Sequence, residues 1–243
     1  LCKMWQEKGK LDGNQFVVKT IVTTELIKDI AESFNIECYD TLTGFKFIAG
    51  LIRELEGKKK FIGGGEESYG YLIGDSVRDK DAVASCAIIA EMAAWAKDSG
   101  KTLYEILMEI YAEYGLYNET MVSITKKGKE GADQITEMMR TYRENPPSKL
   151  GGSIISKLID YQSSTSTSLH TGESEAIDFP KSNVLQFITE DKTKISIRPS
   201  GTEPKIKFYF GVYKSMSQHA SFADEIESLI EKVAIIKEEL DLT

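Results

Sequence analysis

The first 115 residues alternate short apolar, β-branched segments with segments of helical periodicity, and this alternation constrains the fold more than any other feature. Residues 26–31 place apolar side chains on one helical face after Thr23 and Thr24, either of which can cap a helix. The pattern predicts strand, helix, strand, helix and strand over residues 16–22, 26–31, 38–40, 44–55 and 61–63. Because strands that alternate with helices form a layered sheet, we expect a largely parallel sheet in the first domain.

Two further helices are expected before the first domain ends. A long helix follows Asp79 and ends at Ser99 and Gly100, and small or apolar residues at helical spacing predict that it packs closely. These residues are Val83, Cys86, Ala87, Ala90 and Ala94. Thr102 and Glu105 then show the spacing of a capping box that opens another helix. The residues that this helix is predicted to bury are Leu103, Ile106, Leu107 and Ile110.

Residues 116–243 carry a different order of elements, which is typical of an α+β domain. A strand near residues 121–125 and a polar helix over about 129–142 come first. The later elements are predicted as strands at 155–161, 184–189, 194–197 and 206–212 and a helix at 222–240. Residues 144–148 predict a turn, and residues 163–168, which are all serine or threonine, predict a surface loop.

Composition argues against several classes of function. The net charge of −8 disfavours nucleic acid as a partner, and no apolar run approaches the roughly 20 residues of a membrane span. Cys2, Cys38 and Cys86 show neither CxxC nor Cys/His spacing, so we expect no disulfide framework, no metal site and a reducing, cytoplasmic location. The chain opens at Leu1 without an initiator Met or a signal-peptide pattern, which suggests a fragment. No role is assigned to the two histidines, His170 and His219.

The most informative stretch lies between the last two predicted strands. Alternation there places Lys205 and Lys207 on the face opposite to four apolar residues, at the tip of a hairpin. A phosphate dianion favours a guanidinium fork, hydroxyl donors and backbone N–H groups that a glycine-containing turn brings close. The stretch supplies these groups in Arg198, Ser200, Gly201, Thr202, Lys205 and Lys207. An ordinary hairpin turn with solvated lysines is the alternative.

A second stretch, residues 63–70, places Glu66, Glu67 and Ser68 among glycines at the end of a predicted strand. Carboxylates and hydroxyl groups recognise the hydroxyls of sugars, whereas a glycine-rich turn with exposed acids is the alternative. A glycosidase is disfavoured, because neighbouring residues of a strand point to opposite faces and cannot flank one bond.

Two shorter stretches add candidates. Thr43 and Gly44 precede a predicted helix, where a simple helix cap is the alternative to a binding role. Asp79 and Asp81 precede the long helix. A favourable interaction with the helix dipole explains them better than a role as metal ligands does. Lys80 lies between these acids and contributes nothing to the dipole, so it requires another explanation.

These stretches resemble one known family. Arg-x-Ser-Gly-Thr-Glu-Pro, from Arg198, is similar to the phosphate-binding loop of the phosphohexomutase superfamily. Gly-Glu-Glu-Ser-x-Gly, from Gly65, resembles the sugar-binding loop of the phosphoglucomutase branch, whereas the branch with dual mannose and glucose specificity usually has Met in place of Glu67. All four stretches occur in family order and match the third and fourth of four domains. The resemblance implies an α/β/α layered mixed-sheet domain over residues 1–115 and a smaller α+β domain, similar to the TATA-binding protein, over residues 116–243.

The resemblance also implies roles for single residues. The phosphate that is not transferred would be held by Arg198, Ser200, Gly201 and Thr202, together with Lys205 or Lys207. The family often has Arg where this chain has Lys207. Glu66 and Ser68 would contact the ring hydroxyls, and Lys80 would reach the substrate and is a candidate for proton transfer. The remaining substrate-binding candidates are Thr43, Gly44 and Arg78.

The function implied is that of the carboxy-terminal half of a phosphoglucomutase, an isomerase of carbohydrate metabolism. Such an enzyme interconverts glucose 1-phosphate and glucose 6-phosphate through a phosphoserine and a hexose 1,6-bisphosphate, with Mg²⁺ as cofactor. The chain holds neither the Ser-His-Asn-Pro nor the Asp-x-Asp-x-Asp loop, so the nucleophile and the Mg²⁺ ligands are expected in amino-terminal domains that would be partners of this fragment. Alone, it is expected to be inactive. The alternatives are a phosphomannomutase, a phosphopentomutase, or a non-enzymatic module that binds sugar phosphates.

Overall fold

The computed structural model describes residues 1–216 and 221–242, so His219 lies outside the described residues. The chain divides into two compact units, Leu1–Tyr114 and Gly115–Thr243. Each unit is built around its own sheet.

The first unit contains a four-stranded sheet that is largely parallel, as predicted. Its strands are β1 (Gln15–Thr20), β2 (Glu37–Thr41), β3 (Lys60–Glu66) and β4 (Gly70–Ile73). The order across the sheet is β2-β1-β3-β4. Strand β1 pairs in parallel with both β2 and β3, whereas β4 is an antiparallel edge strand. The sequence pattern did not predict β4, because this strand has only four residues and follows β3 after a short loop.

Helices lie on both faces of this sheet, which makes the unit a layered α/β/α domain. They are α1 (Cys2–Glu7), α2 (Leu26–Ser33), α3 (Phe45–Leu55), α4 (Ala82–Asp98) and α5 (Leu103–Tyr114). Phe16 and Val18 pack with the buried residues of α3 on one face. Val17 points to the other face and packs with Ala31 of α2. The alternation along β1 thus separates two small cores.

The helix ends were predicted with mixed success. The capping box at α5 is confirmed, since the Glu105 N–H donates to Thr102 Oγ1 at 3.2 Å and the Thr102 N–H donates to Glu105 Oε2 at 2.7 Å. At α2 the N-cap is Glu25 and makes no side-chain cap bond. The hydroxyl of Thr24 nevertheless accepts from the Leu26 N–H at 3.2 Å, so a threonine does bind the first turn.

The predicted packing faces of α4 and α5 are wrong. Val83 is 82% exposed, and α4 buries Ser85 and Ala96 instead of the predicted set. Helix α5 fully buries none of its residues: Leu103 and Leu107 are exposed, whereas Ile106 and Ile110 of the predicted set are half-buried. The physical reason is that α4 is apolar around its whole circumference, so periodicity alone does not select the face that packs on β4.

The second unit is an α+β domain, as predicted, and the strands of its main sheet pair antiparallel. Its elements are β5 (Leu116–Thr125), α6 (Gly128–Glu144), β6 (Lys149–Leu150), β7 (Ser153–Asp160), β8 (Thr165–Ser168), β9 (Ser174–Ala176), β10 (Leu185–Thr189), β11 (Lys194–Pro199), β12 (Lys205–Lys214) and α7 (Phe222–Glu239). The strand order is β5-β12-β11-β10-β7-β8-β9, and β6 pairs with β7.

The core of the second unit follows the predicted alternation of β12. Ile206, Phe208, Phe210 and Val212 share one face, and all four are buried. Helices α6 and α7 contribute Met139, Leu229, Val233 and Ile236 to the buried core of this unit. The prediction for residues 163–168 is partly wrong, because Thr165–Ser168 forms β8 and Ser166 is buried. Hydroxyl groups suit this strand, since Thr167 Oγ1 lies 2.7 Å from Ser174 Oγ on the adjacent β9.

Candidate functional site

In the first unit, candidate residues gather where the parallel strands end. Strands β1, β2 and β3 run in the same direction, so their carboxyl ends lie at one edge of the sheet. Open α/β sheets bind ligands at this edge. Thr43 and Gly44 follow β2, and Glu66 is the last residue of β3.

Glu66 is tied to the loop after β2. The Gly44 N–H donates to Glu66 Oε1 at 2.7 Å, and Gly44 has a φ of 126°, which side-chain-bearing residues rarely adopt. The hydroxyl of Thr43 is buried and has no hydrogen-bond partner among the described residues. A buried hydroxyl without a partner is unfavourable, so a ligand hydroxyl at this point would stabilise it.

Lys80 lies in the same cluster as Glu66. A Cβ atom placed on Gly70 would lie 2.9 Å from Lys80 Cδ and 3.4 Å from Glu66 Oε2, so both side chains pass over Gly70. Lys80 Nζ lies 2.8 Å from Asp79 Oδ1 and 4.8 Å from the centroid of the Phe45 ring. The hydrogen bonds from Lys80 lower the pKa of Asp79 below its usual range. A cation and a carboxylate thus share one edge of this unit.

The glycines before Glu66 do not form a turn. They belong to β3, and a Cβ atom on Gly64 would lie 2.3 Å from the carbonyl oxygen of Val18. A Cβ atom on Gly65 would lie 2.4 Å from the carbonyl oxygen of Gly70. The glycines therefore let the backbones of β1 and β4 approach β3 closely.

Two other candidates, Ser68 and Arg78, form hydrogen bonds with residues outside this cluster. Ser68 Oγ donates to Glu67 Oε1 at 3.1 Å, in the exposed loop after β3. The guanidinium of Arg78 donates to Glu56 Oε1 at 2.8 Å and to the Asp75 carbonyl oxygen at 3.0 Å. In the part of the chain that the structure describes, no hydrogen bond joins Arg78 to Glu66 or Lys80, so its substrate role stays a prediction.

A buried cation, which the sequence analysis missed, supports the end of β1. Lys19 has a fully buried side chain, with Nζ 2.9 Å from Glu25 Oε1 and 2.6 Å from Asp40 Oδ1. Burial alone would lower the pKa of Lys19, but the two carboxylates outweigh it and raise the pKa above its usual value. A lysine inside an apolar strand was the available signal.

In the second unit, the predicted loop closes the hairpin of β11 and β12. The Ser200 N–H donates to the Lys205 carbonyl oxygen at 2.7 Å. The Ser200 hydroxyl accepts from the N–H groups of Thr202 at 3.4 Å and Glu203 at 3.3 Å. Gly201 has an ordinary φ, and no atom lies within 4 Å of where its Cβ would be. Its lack of a side chain therefore leaves open space for a ligand at the tip.

Two cations lie side by side at this tip. Arg198 of β11 is directly opposite Lys207 of β12 in the antiparallel register. Within residues 1–216 and 221–242, neither side chain has a hydrogen-bond or ion-pair partner, whereas Lys205 Nζ lies 3.1 Å from Glu203 Oε2. Like charges opposite each other destabilise a sheet, and an anion that contacts both removes the repulsion. The tip is therefore suited to a phosphate.

Among the residues that the structure describes, no group of three or more His, Cys, Asp or Glu side chains could hold a metal ion. No helix in the same described residues has the length and apolar character needed to cross a bilayer.

Comparison with known families gives two consecutive matches. The model described as "Phosphoglucomutase/phosphomannomutase, alpha/beta/alpha domain III" matches residues 1–114. The model described as "Phosphoglucomutase/phosphomannomutase, C-terminal domain" matches residues 129–229. Each compact unit thus corresponds to one domain of the same family.

Curated relatives and solved structures agree with these matches. Phosphoglucomutase of Staphylococcus aureus (strain MRSA252) is 41% identical over 196 residues, which is 81% of this chain and 35% of that protein. Phosphoglucomutase of Staphylococcus haemolyticus is 37% identical and covers 87% of this chain and 38% of its own length. The open form of pp63/parafusin from Paramecium superposes with a TM-score of 0.63 at 19% identity, covering 93% of this chain and 37% of that chain, which shows a shared fold. The chain spans a little over a third of the length of these proteins.

Proposed function

We propose, since this chain belongs to the phosphoglucomutase/phosphomannomutase family, that it supplies the recognition of sugar and phosphate in an enzyme that interconverts glucose 1-phosphate and glucose 6-phosphate. The enzyme is an isomerase that transfers a phosphoryl group within its substrate. Three free cysteines suit the reducing cytoplasm as its location.

The observation that carries this proposal is the pair of cations on the β11–β12 hairpin. Arg198 and Lys207 are directly opposite each other, and the described residues provide no acid for either of them. The loop between them offers the hydroxyl of Thr202 and open space at Gly201, whereas the N–H groups of Ser200, Thr202 and Glu203 already have partners within the loop. A guanidinium, an ammonium and neutral donors around an open space match a phosphate dianion and would bind a neutral ligand poorly.

The carbohydrate part of the substrate is assigned to the first unit. Glu66 keeps Oε2 available to accept from a sugar hydroxyl, because the hydrogen bond that it accepts from the Gly44 N–H uses Oε1. Thr43 has a buried hydroxyl that needs a partner, and Lys80 can donate to a hydroxyl oxygen. In this proposal Lys80 holds a proton at that sugar hydroxyl oxygen during phosphoryl transfer.

The chemical step itself is assigned to parts of longer relatives that this chain does not match. In the proposed reaction an enzyme phosphoserine gives its phosphoryl group to the substrate, and the hexose 1,6-bisphosphate then returns its other phosphoryl group to the serine. When bound, Mg²⁺ supplies charge stabilisation to that step. The residues of this chain bind and orient the substrate, which lowers the barrier through positioning and electrostatics.

The test compares variants of the full-length enzyme that carries this chain. Glucose 1-phosphate, mannose 1-phosphate and ribose 1-phosphate are assayed with wild type, Glu66→Ala and Arg198→Ala, because these sugars separate phosphoglucomutase from phosphomannomutase and phosphopentomutase. A hydrogen bond to a charged group contributes about 1.5–3 kcal/mol to stability or binding, so we expect kcat/KM to fall roughly ten- to a hundredfold in each variant. Matched controls are Glu54→Ala and Arg140→Ala, which remove exposed charges elsewhere in the same two units.

The isolated chain gives a second test. We expect it to bind glucose 1-phosphate weakly and to show no turnover. Turnover by the purified chain would refute the assignment of the nucleophile elsewhere. Full activity of Arg198→Ala would refute the phosphate site, and binding without any activity of the full-length protein would favour a non-enzymatic module.

A further inference from the structure

The second glutamate of the loop after β3 has a bonding pattern that differs from that of Glu66. Glu67 Oε2 accepts from Thr23 Oγ1 at 3.0 Å and lies 3.4 Å from Thr20 Oγ1. Its other oxygen, Oε1, accepts from Ser68 Oγ at 3.1 Å. Both carboxylate oxygens therefore already have hydroxyl partners within the protein.

The two threonines form a fixed anchor. Thr20 and Thr23 are buried at the end of β1, and their hydroxyl oxygens lie 2.9 Å apart. The Thr23 N–H donates to the Thr20 carbonyl oxygen at 2.9 Å, which holds the two side chains in one turn. Lys19, next to Thr20, is locked by its ion pairs with Glu25 and Asp40. The anchor thus belongs to the rigid centre of the sheet.

The loop that this anchor holds is otherwise weakly supported. Tyr69 is 95% exposed and has a φ of 62°, an unfavourable conformation for an aromatic residue. Glu66 and Gly70 pair at the ends of β3 and β4, so the loop consists of Glu67, Ser68 and Tyr69. The contacts of Glu67 with Thr20 and Thr23 tie this loop to the end of β1.

We infer that Glu67, held by Thr23 and Thr20, is a positioning residue that fixes the orientation of Ser68 and Glu66 toward the sugar. Glu67 directly follows Glu66, so tying Glu67 to the end of β1 limits the backbone movement of the end of β3 from which Glu66 projects. The bond from Ser68 to Glu67 determines where the serine oxygen can accept a hydrogen bond from a ligand. The inference rests on the proposed function, because it assumes that this loop binds a sugar.

A direct contact of Glu67 with the substrate is the competing explanation. It is disfavoured because three of the roughly four acceptor positions of this carboxylate already face protein hydroxyls. Under the inference, removing the hydroxyl of Thr23 should affect sugar binding as much as removing the carboxylate of Glu67 does.

The test uses the chain of 243 residues and two probes, glucose 1-phosphate and inorganic phosphate, titrated while amide resonances are followed by NMR. The variants are Thr23→Val, Thr23→Ser, Glu67→Ala and the double variant Thr23→Val/Glu67→Ala. Thr136→Val is the control, because Thr136 is an exposed threonine of the second unit. Loss of one hydrogen bond to a charged group predicts roughly tenfold weaker binding of glucose 1-phosphate by Thr23→Val. Thr23→Ser should restore the affinity.

Three further results separate positioning from a general loss of structure. Binding of inorganic phosphate should be unchanged in every variant, because its site lies in the second unit. The double variant should be no weaker than Glu67→Ala, since the two groups act through one another. Hydrogen exchange of the amides of residues 67–70 should be faster in Thr23→Val and normal in Thr23→Ser.

The outcomes distinguish this inference from the proposed function. If wild type binds glucose 1-phosphate no better than inorganic phosphate, the proposed function fails and the inference fails with it. If wild type discriminates and Thr23→Val discriminates equally well, the positioning role alone is overturned. Additive losses in the double variant would also overturn it, because they would indicate that Glu67 contacts the substrate directly.

Discussion

Replacing Gly64 by Ala should severely destabilise the first unit. Gly64 lies in β3, which pairs with β1 in the middle of the sheet. An added Cβ would lie 2.3 Å from the Val18 carbonyl oxygen, 3.1 Å from its carbon and 3.2 Å from the Val18 nitrogen. All three atoms belong to the backbone, so no change of rotamer can relieve the contact.

The magnitude follows from this geometry. Real Cβ atoms essentially never approach within 3.0 Å, so β1 and β3 would have to separate by about 0.7 Å at this point. Overpacking of a core usually lowers the free energy of unfolding by about 1–3 kcal/mol. Because only a backbone shift can relieve this contact, we expect a loss of about 3 kcal/mol or more. With an m-value of about 1–3 kcal/mol/M in urea, the midpoint of unfolding should fall by about 1 M or more.

Tryptophan fluorescence isolates the relevant unit, because the two tryptophans of the chain, Trp5 and Trp95, both lie within residues 1–114. The matched control is Gly50→Ala, since Gly50 lies within α3 and no atom lies within 4 Å of its Cβ position. That change should stabilise the unit by roughly 0.5–1 kcal/mol. A Gly64→Ala midpoint equal to that of wild type would refute the close approach of the two strands.

Two further predictions concern charged groups. Lys207→Gln should relieve the repulsion from Arg198 and raise the free energy of unfolding of the ligand-free second unit by about 0.2–1 kcal/mol, measured in urea. The same variant should bind phosphate more weakly in a titration. A variant that is both less stable and weaker in phosphate binding would contradict the assignment of an anion site. Lys19→Met should destabilise the first unit by about 3 kcal/mol, because it leaves the carboxylates of Asp40 and Glu25 without their cation. The pKa of Lys19 is raised in the folded state, so its contribution to the free energy of unfolding is fully present below the unfolded pKa of 10.5. This contribution is lost as the pH rises through the folded pKa. The urea midpoints of wild type and Lys19→Met should therefore converge only at strongly alkaline pH.

Much of the fold was predictable because strong periodicities coincide with real elements. The β-branched segment at residues 16–22 is followed by a helical segment, and both occur as β1 and α2. Strand β4 and helix α1 were missed, since a segment of four to six residues carries too little periodicity. The prediction of the packing face of α4 was wrong because this helix is apolar on all sides, so tertiary contacts decide which side is buried.

The candidate residues were predictable as local stretches, whereas their connections were not. Ser200 and Thr202 lie in one continuous loop, so the sequence alone indicated a cluster of donors. The hydrogen bond from Gly44 to Glu66 spans 22 residues and depends on the parallel alignment of β2 and β3 beside β1. Arg78 shows the same limit, because its partner Glu56 lies 22 positions earlier and in a different element.

The pairing of β5 with β12 has a consequence for biosynthesis. The strand that opens the second unit pairs along its whole length with β12, which is synthesised after the other described strands of that unit. This sheet therefore cannot close until β12 has been made, whereas the sheet of the first unit joins segments that are near one another in sequence. The unit that carries the phosphate loop should accordingly mature after its neighbour, and a ribosome stalled before β12 would present an incomplete sheet edge to chaperones.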